Sequence, residues 1–527
     1  MSLLLSFLAV GLAFHPARAS ALPGTSVFCS NIPAPHVPGA RVISVTSSVK
    51  RDYSVSKAPP TLNQDVTNLN VCEVNVILTH PGANDTVHVQ TWLPLHGWNN
   101  RFVAIGGGAW VAGLGELDLA LPASRGYAVS STDAGLSGDP STPAAWALKP
   151  DGMVNLDLLT NFASRSIHDM AVVGKAVTAS VYAKHARHSF WNGCSTGGRQ
   201  GLVAAQKYPD DFDGILAGSP AIYWTEYVIA ELWPQVVMKE AGYYPSTCEL
   251  DAVVQAAILA CDGKDKVKDG VINDVSKCNF DPFTVVGSKV QCNGKEVVIS
   301  RQVASIVRKI WDGPTTPSGK KLWYGMPVDS SLAFLSNSTV DDKGASVGFP
   351  FSVADTWIRY FVKANPAFDT TKIDTAGLTE LFRESKQKFD SVIGSADPNL
   401  SGLKKSGGRL LVWHGLADQL IYPQDSVHYL EEVESAMGGR AVDDFFRLFL
   451  APGVDHCGYG TTPGAVPTDP FGALVAWVEN GTAPEELEAE TLPGWPAHFT
   501  RKVCRYPMVA KYRGCGDSTV AKSYKCV

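Results

Sequence analysis

Residues 189–201 read SFWNGCSTGGRQG, and this stretch decides the fold. An apolar segment at residues 189–192 leads into Gly193-Cys194-Ser195-Thr196-Gly197, which has the form Gly-x-Ser-x-Gly, and a helix-like segment follows. In a nucleophile elbow the serine occupies a tight, strained turn between a strand and a helix, so its flanking residues must be small. The N-terminus of the helix points at the site where negative charge develops during acyl transfer. The context favours a nucleophilic Ser195 over the alternative, an ordinary turn rich in glycine and serine.

Other strand-like segments share the layout of this one, because each is short, apolar and followed by a loop of glycine or polar residues. They lie at residues 101–105, 126–131, 213–217, 409–413 and 445–450. Helix-like segments lie at residues 165–184, 198–208 and 471–479. Continuous apolar strands that alternate with helices indicate a parallel sheet covered on both faces. Together with the elbow, this pattern predicts an α/β fold of the α/β-hydrolase type.

The alternation of strands and helices breaks between about residues 223 and 390. This stretch carries four cysteines, an acidic loop and a long region rich in glycine, proline and serine. We expect residues 223–390 to form a large inserted lid domain, since insertions at this position of the fold cover the active site. The catalytic domain is then discontinuous and comprises residues 20–222 and 391–527.

A serine nucleophile needs a base, and the base needs a carboxylate that orients it. In this fold the three residues follow the chain order serine, acid, histidine. Asp418 and His456 each follow a strand-like segment and should lie at the same sheet edge as Ser195. One other base and three other acids are alternatives: His414, Asp443, Asp444 and Asp455. The first two of these acids precede a strand, and the third is adjacent to the histidine, so Asp418 and His456 are favoured.

Two cysteines flank the two reactive residues. Cys194 precedes Ser195, and Cys457 follows His456. If the serine and the histidine are within hydrogen-bonding reach, their neighbours can lie at the Cα spacing of a disulfide, about 4.4–6.8 Å. The triad hypothesis therefore predicts a disulfide between Cys194 and Cys457; the alternative is two buried free thiols.

The composition is that of a globular protein, with 527 residues, 45% hydrophobic residues and a net charge of −6. No long basic run is present, so we expect no nucleic-acid partner. The N-terminus carries an apolar run followed by Ala17-Arg18-Ala19, which predicts a secretory signal peptide at residues 1–19, with a short buried helix as the alternative. The run is too short to cross a bilayer and no later segment is suitable, so we expect a secreted, extracellular protein with no membrane partner.

The remaining chain carries features typical of secreted proteins. It contains eleven cysteines, which in an oxidising compartment are mostly disulfide-bonded, and an odd count leaves at least one unpaired. Four Asn-x-Ser/Thr sequons are candidate N-glycosylation sites: Asn84, Asn337, Asn399 and Asn480.

The acidic loop at residues 262–271 reads DGKDKVKDGV. Calcium binds several oxygens, some of them backbone carbonyls. The predicted ligands are three carboxylates and two carbonyls, from Asp262, Asp265, Asp269, Val267 and Val271. The loop lacks the closing glutamate of an EF-hand, and its interleaved lysines make a solvated charged turn an equal alternative on spacing alone.

Several motifs resemble those of the tannase and feruloyl esterase family. That family is marked by Cys-Ser, Asp and His-Cys elements with the two cysteines bonded. The similar segments are the elbow block at residues 193–201, YPDDFDGI at 208–215, VENG at 478–481 and CRYP at 504–507. The resemblance covers nearly the whole mature chain and implies an α/β-hydrolase core with a lid, acting on carboxylic esters of plant phenolic acids. The length of the chain and its elbow block resemble those of the feruloyl esterases, which favours this activity. The expected substrate is a small aromatic ester, either free or attached to plant polysaccharide.

The resemblance also implies roles for individual residues. A structural calcium ion in the lid loop is implied as the cofactor, together with disulfides Cys29–Cys72 and Cys504–Cys526. Cys261 and Cys278 flank the calcium loop and are expected to pair. Cys248, Cys292 and Cys515 are left, and here the chain departs from the family pattern; a Cys248–Cys292 pair is one interpretation. The fold places one oxyanion donor at the backbone N–H of Thr196 and a second in the glycine run, at Gly107 or Gly108.

Two other functions stay open at this point. A tannase acting on gallate esters is the second enzymatic interpretation. A secreted, non-catalytic binding protein that kept the hydrolase scaffold is the other. Candidate aromatic residues for the acyl slot are found in the lid, and they are Trp224, Tyr227, Trp233, Trp311 and Trp357.

Overall fold

The computed structural model describes residues 29–57 and 64–527. The predicted signal peptide at residues 1–19 lies outside the described residues. Before the insertion the chain forms β1 (Arg41–Val55), β2 (Val66–Thr79), β3 (Val87–Pro94), β4 (Arg101–Ile105), α1 (Glu116–Ser124), β5 (Ala128–Thr132), α2 (Leu156–Thr160), α3 (Ser166–Tyr182), β6 (His188–Cys194), α4 (Thr196–Lys207) and β7 (Gly214–Gly218).

The insertion and the C-terminal part add further elements. The insertion forms α5 (Trp224–Ala230), α6 (Trp233–Ala241), α7 (Thr247–Cys261), β8 (Lys289–Cys292), β9 (Lys295–Val298), α8 (Arg301–Asp312), β10 (Ser338–Val340), β11 (Ser346–Gly348), α9 (Ser352–Thr356) and α10 (Thr375–Ile393). The remainder forms α11 (Ser401–Ser406), β12 (Arg409–Gly415), α12 (Gln424–Met437), β13 (Phe446–Ala451), β14 (Ala465–Pro467), α13 (Pro470–Asn480), β15 (Glu486–Thr491), β16 (Thr500–Cys504), β17 (Ala510–Tyr512) and β18 (Tyr524–Cys526).

Nine strands form one sheet in the order β1-β2-β3-β5-β4-β6-β7-β12-β13. The six strands from β5 to β13 pair in parallel, as the alternation of strands and helices predicts. The strands β1, β2 and β3 extend the sheet in antiparallel fashion, and they are not among the strands predicted from the sequence. The mixed sheet with its flanking helices is an α/β-hydrolase fold.

Apolar residues of the central strands serve both faces of the sheet. Phe102 and Ala104 of β4 belong to a buried cluster that includes residues of α3, α4 and α12. Val103 and Ile105, which alternate with them, belong to a second cluster that includes residues of α1 and α13. Because side chains of a strand point alternately to opposite faces, the two clusters are the two layers between sheet and helices.

The inserted stretch between β7 and β12 contributes no strand to the nine-stranded sheet in the described part of the chain. Its helices share one apolar cluster, and this cluster also contains Trp110, Trp146 and Phe162 from the catalytic part. The insertion is therefore packed onto loops of the sheet rather than around an isolated core. The domain boundaries at residues 223 and 390 stay a prediction.

Side-chain caps define where three of the lid helices begin. Ser246 and Glu249 form a capping box at α7, each side chain accepting a hydrogen bond from the backbone N–H of the other. Ser300 and Asp374 accept hydrogen bonds from first-turn amides of α8 and α10. These caps fix the beginnings of three of the inserted helices, α7, α8 and α10.

Candidate active site

Ser195 lies in the turn between β6 and α4 with a φ of 63°. A positive φ is strained for a residue with a Cβ and is typical of functional sites. A Cβ added to Gly193 would lie 2.5 Å from the carbonyl carbon of Gly197, so no larger residue fits there. The elbow predicted from the sequence is thus present, with small residues where strand and helix approach each other.

His456 and Asp418 form a buried pair. Nδ1 of His456 lies 2.8 Å from Oδ2 of Asp418, and both side chains are almost fully buried. The other carboxylate oxygen, Oδ1, accepts hydrogen bonds of 2.9 Å from the amides of Leu420 and Ile421. Burial alone would raise the pKa of Asp418, but the charge of His456 and hydrogen bonds from His414 and His456 hold it below its usual range. With Nδ1 donating to Asp418, Nε2 of His456 is free to accept a proton.

The alternative bases and acids have other roles. His414 is fully buried, and its ring nitrogens are engaged by Ser426, Ile421 and Asp418. Two of the alternative acids are also engaged elsewhere. Asp455 accepts hydrogen bonds from Gly460 and Thr461, and Asp443 pairs with Arg505. The last alternative acid, Asp444, is exposed just before β13 and so lies at the opposite end of that strand from His456.

A disulfide joins Cys194 to Cys457, with their Cα atoms 6.1 Å apart. The predicted pairing is therefore present, and the free-thiol alternative is wrong. Ser195 and His456, the neighbours of these cysteines, line the same cavity. The disulfide links the elbow to the loop that carries the histidine.

The cavity has a volume of about 830 Å³. Its lid wall includes Trp224, Tyr227, Glu231, Phe351 and Val353. A polar rim, formed by residues in and directly after α1 and by the segment before α13, also lines the cavity: Asp118, Arg125, Thr468 and Asp469. A cavity with a mostly aromatic lid wall and a polar rim fits an ester of an aromatic acid and a polar alcohol.

Comparison with known proteins supports the same conclusion. Residues 72–527 match the family described as tannase and feruloyl esterase. The chain belongs to the tannase and feruloyl esterase family.

Individual members of this family are similar over almost their whole length. A probable feruloyl esterase of Arthroderma benhamiae is 48% identical, covering 100% of this chain and 98% of the relative. Among solved structures, a tannin acyl hydrolase from Aspergillus niger has a TM-score of 0.85 at 26% identity, covering 96% of this chain and 94% of that one. Feruloyl esterase B from Aspergillus oryzae has a TM-score of 0.78 at 27% identity, covering 93% and 97%. The protein is a carboxylic ester hydrolase of this family.

The backbone amides near Ser195 bear on the predicted oxyanion donors. Thr196 is the first residue of α4, and its amide lies at the helix N-terminus. The amide of Gly107 donates to Oε1 of Gln200 at 2.9 Å, and that of Gly108 donates to the carbonyl of Val111 at 3.2 Å. The amide of the next residue, Ala109, donates to no described residue. These bonds weaken the prediction that Gly107 or Gly108 is the second oxyanion donor. The amide of Ala109 is an alternative for that role.

The acidic loop holds its carboxylates inward. Asp262 accepts hydrogen bonds from the amides of Asp269 and Gly270, and Asp265 accepts one from Val267. Burial, and then repulsion from Asp269, raise the pKa values of Asp262 and Asp265. Arg501 forms an ion pair with Asp269.

The donor chemistry of this loop fits a hard cation, because several oxygens are gathered in one turn. Within residues 29–57 and 64–527, however, no three acidic, histidine or cysteine side chains converge closely enough to hold a metal ion by themselves. A calcium ion would therefore also need the carbonyls of Val267 and Val271. The calcium site stays a prediction.

Every disulfide predicted from the sequence is formed, and Cys248, whose pairing the sequence leaves open, is bonded to Cys292. The other four join Cys194 to Cys457, Cys29 to Cys72, Cys261 to Cys278 and Cys504 to Cys526. Cys515 is exposed and unpaired within the described residues. All four sequon asparagines are exposed. No helix of the described residues is long and apolar enough to cross a membrane.

The lid aromatics divide into two groups. Trp224 and Tyr227 line the cavity as expected. Trp233 and Trp357 are instead core residues of the lid, whose indole N–H groups donate to Lys309 and Ser385, and Trp311 is also absent from the cavity wall. Of the five candidates these three do not line the acyl slot. Trp233 and Trp357 fill the lid core, and Trp311 packs against it, as large aromatic side chains commonly do.

Sequence reasoning missed two residues that follow the elbow directly. Gln200 accepts from Gly107 and donates to the carbonyl of Ala112 at 2.9 Å, which holds the glycine run in place. Arg199 is fully buried and donates to the carbonyls of Phe162 and Ala163. Both lie in the quoted motif, and a charged and an amide side chain in the first turn of a buried helix are the signal that could have identified them.

Proposed function

We propose that this protein hydrolyses esters of hydroxycinnamic acids, as a feruloyl esterase, with Ser195, His456 and Asp418 as its catalytic triad. The observation that carries the proposal is the His456–Asp418 pair, joined through Cys457–Cys194 to a strained serine in an aromatic-walled cavity. The 48% identity to a relative named probable feruloyl esterase supports the substrate class.

The proposed reaction is acyl transfer in two steps. Nε2 of His456 takes the proton of the Ser195 hydroxyl as its oxygen bonds to the ester carbonyl carbon. The tetrahedral intermediate collapses, the ester C–O bond breaks, and the alcohol leaves with the proton from His456. Water then gives a proton to His456 as its oxygen bonds to the acyl carbon. The bond between that carbon and Oγ of Ser195 breaks, Ser195 takes the proton back from His456, and the carboxylic acid is released. Asp418 orients the ring through Nδ1 and stabilises the imidazolium ion.

The negative charge of the tetrahedral intermediate needs backbone donors. The amide of Thr196 suits this role because the helix N-terminus adds a favourable dipole. The second donor comes from residues 107–109. Ala109 is favoured since its amide has no acceptor among the described residues, whereas those of Gly107 and Gly108 do.

The alcohol portion of the substrate should lie against the polar rim. Asp118, Arg125 and Asp469 offer charged and hydrogen-bonding groups there, which suit a sugar hydroxyl better than an alkyl chain. We infer that the natural substrate carries its aromatic acid on a plant polysaccharide or an oligosaccharide fragment of one.

Activity assays with three esters test the proposal. Methyl ferulate and methyl caffeate should be hydrolysed, and a fluorophosphonate probe should label Ser195 in the wild type and not in Ser195→Ala. No labelling of the wild type would favour a non-catalytic binding protein. A preference for methyl gallate would favour the second candidate, a tannase. The TM-score of 0.85 to a tannin acyl hydrolase supports this candidate.

A structural calcium ion in the lid loop is a separate proposal. Asp262, Asp265 and Asp269 would hold it together with the carbonyls of Val267 and Val271, and it would relieve the repulsion that raises two of their pKa values. Thermal unfolding with calcium and with a chelator tests it. We expect a higher midpoint with calcium, and no such difference in Asp265→Asn; equal midpoints in the wild type would contradict the site.

Secretion is likewise proposed, on the strength of five disulfides and four exposed sequons. Expression in a eukaryotic secretory host should release a protein whose N-terminus is Ser20. Treatment with an N-glycosidase should lower its mass. Retention of residues 1–19 in the released protein would contradict the signal peptide.

A further inference from the structure

A carboxylic acid without a partner lies in the wall of the active-site cavity. Glu231, at the C-terminal end of α5, is 2% exposed and lines the cavity beside Trp224 and Tyr227. Its Oε2 atom has no hydrogen-bond partner in the part of the chain that the structure describes. A buried polar group without a partner is costly, so such a group in the wall of a substrate cavity is a candidate for binding a polar group of the ligand.

The charge state of Glu231 follows from its surroundings. Burial raises its pKa well above the usual range, and the negative charge of nearby Asp418 raises it further. This raised pKa favours the protonated carboxyl, which can donate one hydrogen bond and accept another. A neutral acid of this kind can bind a hydroxyl group without placing a charge beside an aromatic ring.

We propose that Glu231 determines specificity by hydrogen bonding a ring hydroxyl of the aromatic acid in the substrate. This inference rests on the proposed function, because it concerns the acyl group of that substrate. The wall around Glu231 carries mainly aromatic and aliphatic side chains: Trp224, Tyr227, Phe351, Leu420 and Ile421. They provide a slot for a flat ring, and the carboxyl provides a polar contact for its substituent.

A second buried acid in the lid provides a control that distinguishes ligand binding by Glu231 from a purely structural role. Asp329 also lies in the lid, is 5% exposed, and has both carboxylate oxygens without partners within the described residues. Burial raises its pKa to about 7. Asp329 does not line the cavity. Asp329→Asn is therefore a control for removing a buried, unpaired acid from the lid without touching the acyl slot.

The test compares two esters that differ by one hydroxyl, methyl 4-hydroxycinnamate and methyl cinnamate. We expect the wild type to prefer the hydroxylated ester in kcat/KM, and Glu231→Met to reduce that preference about tenfold or more, since an unbranched apolar side chain of similar length cannot bond the hydroxyl. Glu231→Gln, which keeps a donor and an acceptor, should retain the preference within a few-fold. Asp329→Asn should leave it unchanged.

Each outcome is decisive for the inference. An equal loss on both esters in Glu231→Met, or a wild type without preference for the hydroxyl, would overturn the role of Glu231 while leaving the esterase proposal intact. A wild type that hydrolyses neither ester, nor methyl ferulate, would overturn the proposed function and this inference with it. Fluorophosphonate labelling of Ser195 in Glu231→Met shows that the site is folded, and the wild-type preference is informative even if that variant does not fold.

Discussion

Removal of the disulfide beside the triad should affect activity and stability separately. The perturbation is the double substitution Cys194→Ala and Cys457→Ala. The bond spans 263 positions and joins the loop of His456 to the elbow of Ser195. Without the bond, the distance between His456 and Ser195 should vary more in the folded protein. The unfolded chain should also gain conformational entropy.

The magnitude of the stability effect follows from chain entropy. A loop of n residues contributes about 2.1 plus 1.5R ln n cal/mol/K, which near room temperature gives about 5.6 kcal/mol for a separation of 263 positions. The same relation gives about 3.4 kcal/mol for the 22 positions between Cys504 and Cys526. Strain and residual structure lower such values, so both are upper estimates. We expect the first bond to contribute more to the free energy of unfolding than the second.

The activity effect distinguishes the two bonds. Displacement of a catalytic group by about 1 Å can cost about a hundredfold in rate, so the loss of Cys194–Cys457 should lower kcat by tenfold or more. The double alanine variant at Cys504 and Cys526 is the matched control, because neither residue lines the cavity. The assay measures kcat well below the unfolding midpoint of each variant, with folding verified by circular dichroism. An unchanged kcat in the folded Cys194→Ala, Cys457→Ala variant would refute the view that the bond positions His456.

Three further predictions concern the elbow and the acid. Asp418→Asn should lower kcat by about 10⁴-fold with the fold preserved, because the histidine loses the partner that sets its tautomer; a smaller effect than tenfold would point to another acid. The pKa of Asp418 is lowered in the folded state, so its contribution to stability is present above its unfolded pKa and is lost as the pH falls through and below that value. Urea titrations of wild type between pH 6 and about 3 should show this loss, and Asp418→Asn should show less of it. Gly193→Ala should lower the unfolding midpoint by several degrees in a thermal scan, since its Cβ would meet the backbone of Gly197 at 2.5 Å; an unchanged midpoint would mean that the turn can open.

The sequence predicts the triad well because each member lies in a recognisable local pattern and the three follow a fixed order along the chain. Ser195 is identified by small neighbours between a strand and a helix, and Asp418 and His456 by the ends of the next apolar strands. Parallel strands present these ends at one sheet edge, so proximity follows from the topology. The antiparallel strands β1–β3 are not predicted because none of them is a continuous apolar run. β1 is an edge strand without a buried residue, and in β2 and β3 buried residues alternate with more exposed ones along part of each strand.

The sequence does not predict which of several neighbouring groups of the same kind has the functional role. The second oxyanion donor depends on which of three consecutive amides is free, and hydrogen bonds to Gln200 and Val111 decide this in the folded chain. Glu226 and Glu231 are five positions apart in the same segment. Glu226 pairs with Lys386 at 2.9 Å, whereas Glu231 is sealed in the cavity wall. Tertiary packing alone separates a surface ion pair from a candidate specificity residue.

The position of the insertion has a consequence for how the cavity is built. The chain passes through the whole lid between Ser195 and Asp418. Holding both ends of the insertion near the elbow therefore fixes the position of the lid wall relative to the triad. Arg199, four residues after the nucleophile, has its guanidinium 5.8 Å from the ring of Trp224 at the beginning of α5 and 3.5 Å from the carbonyl of Ile393 at the end of α10. Burial lowers its pKa to about 10, so it still carries a positive charge at neutral pH and can bind these carbonyl and aromatic groups. One side chain of the nucleophile helix thus contacts both ends of the lid, which argues for an acyl slot of fixed dimensions whose specificity depends on the residues in its wall.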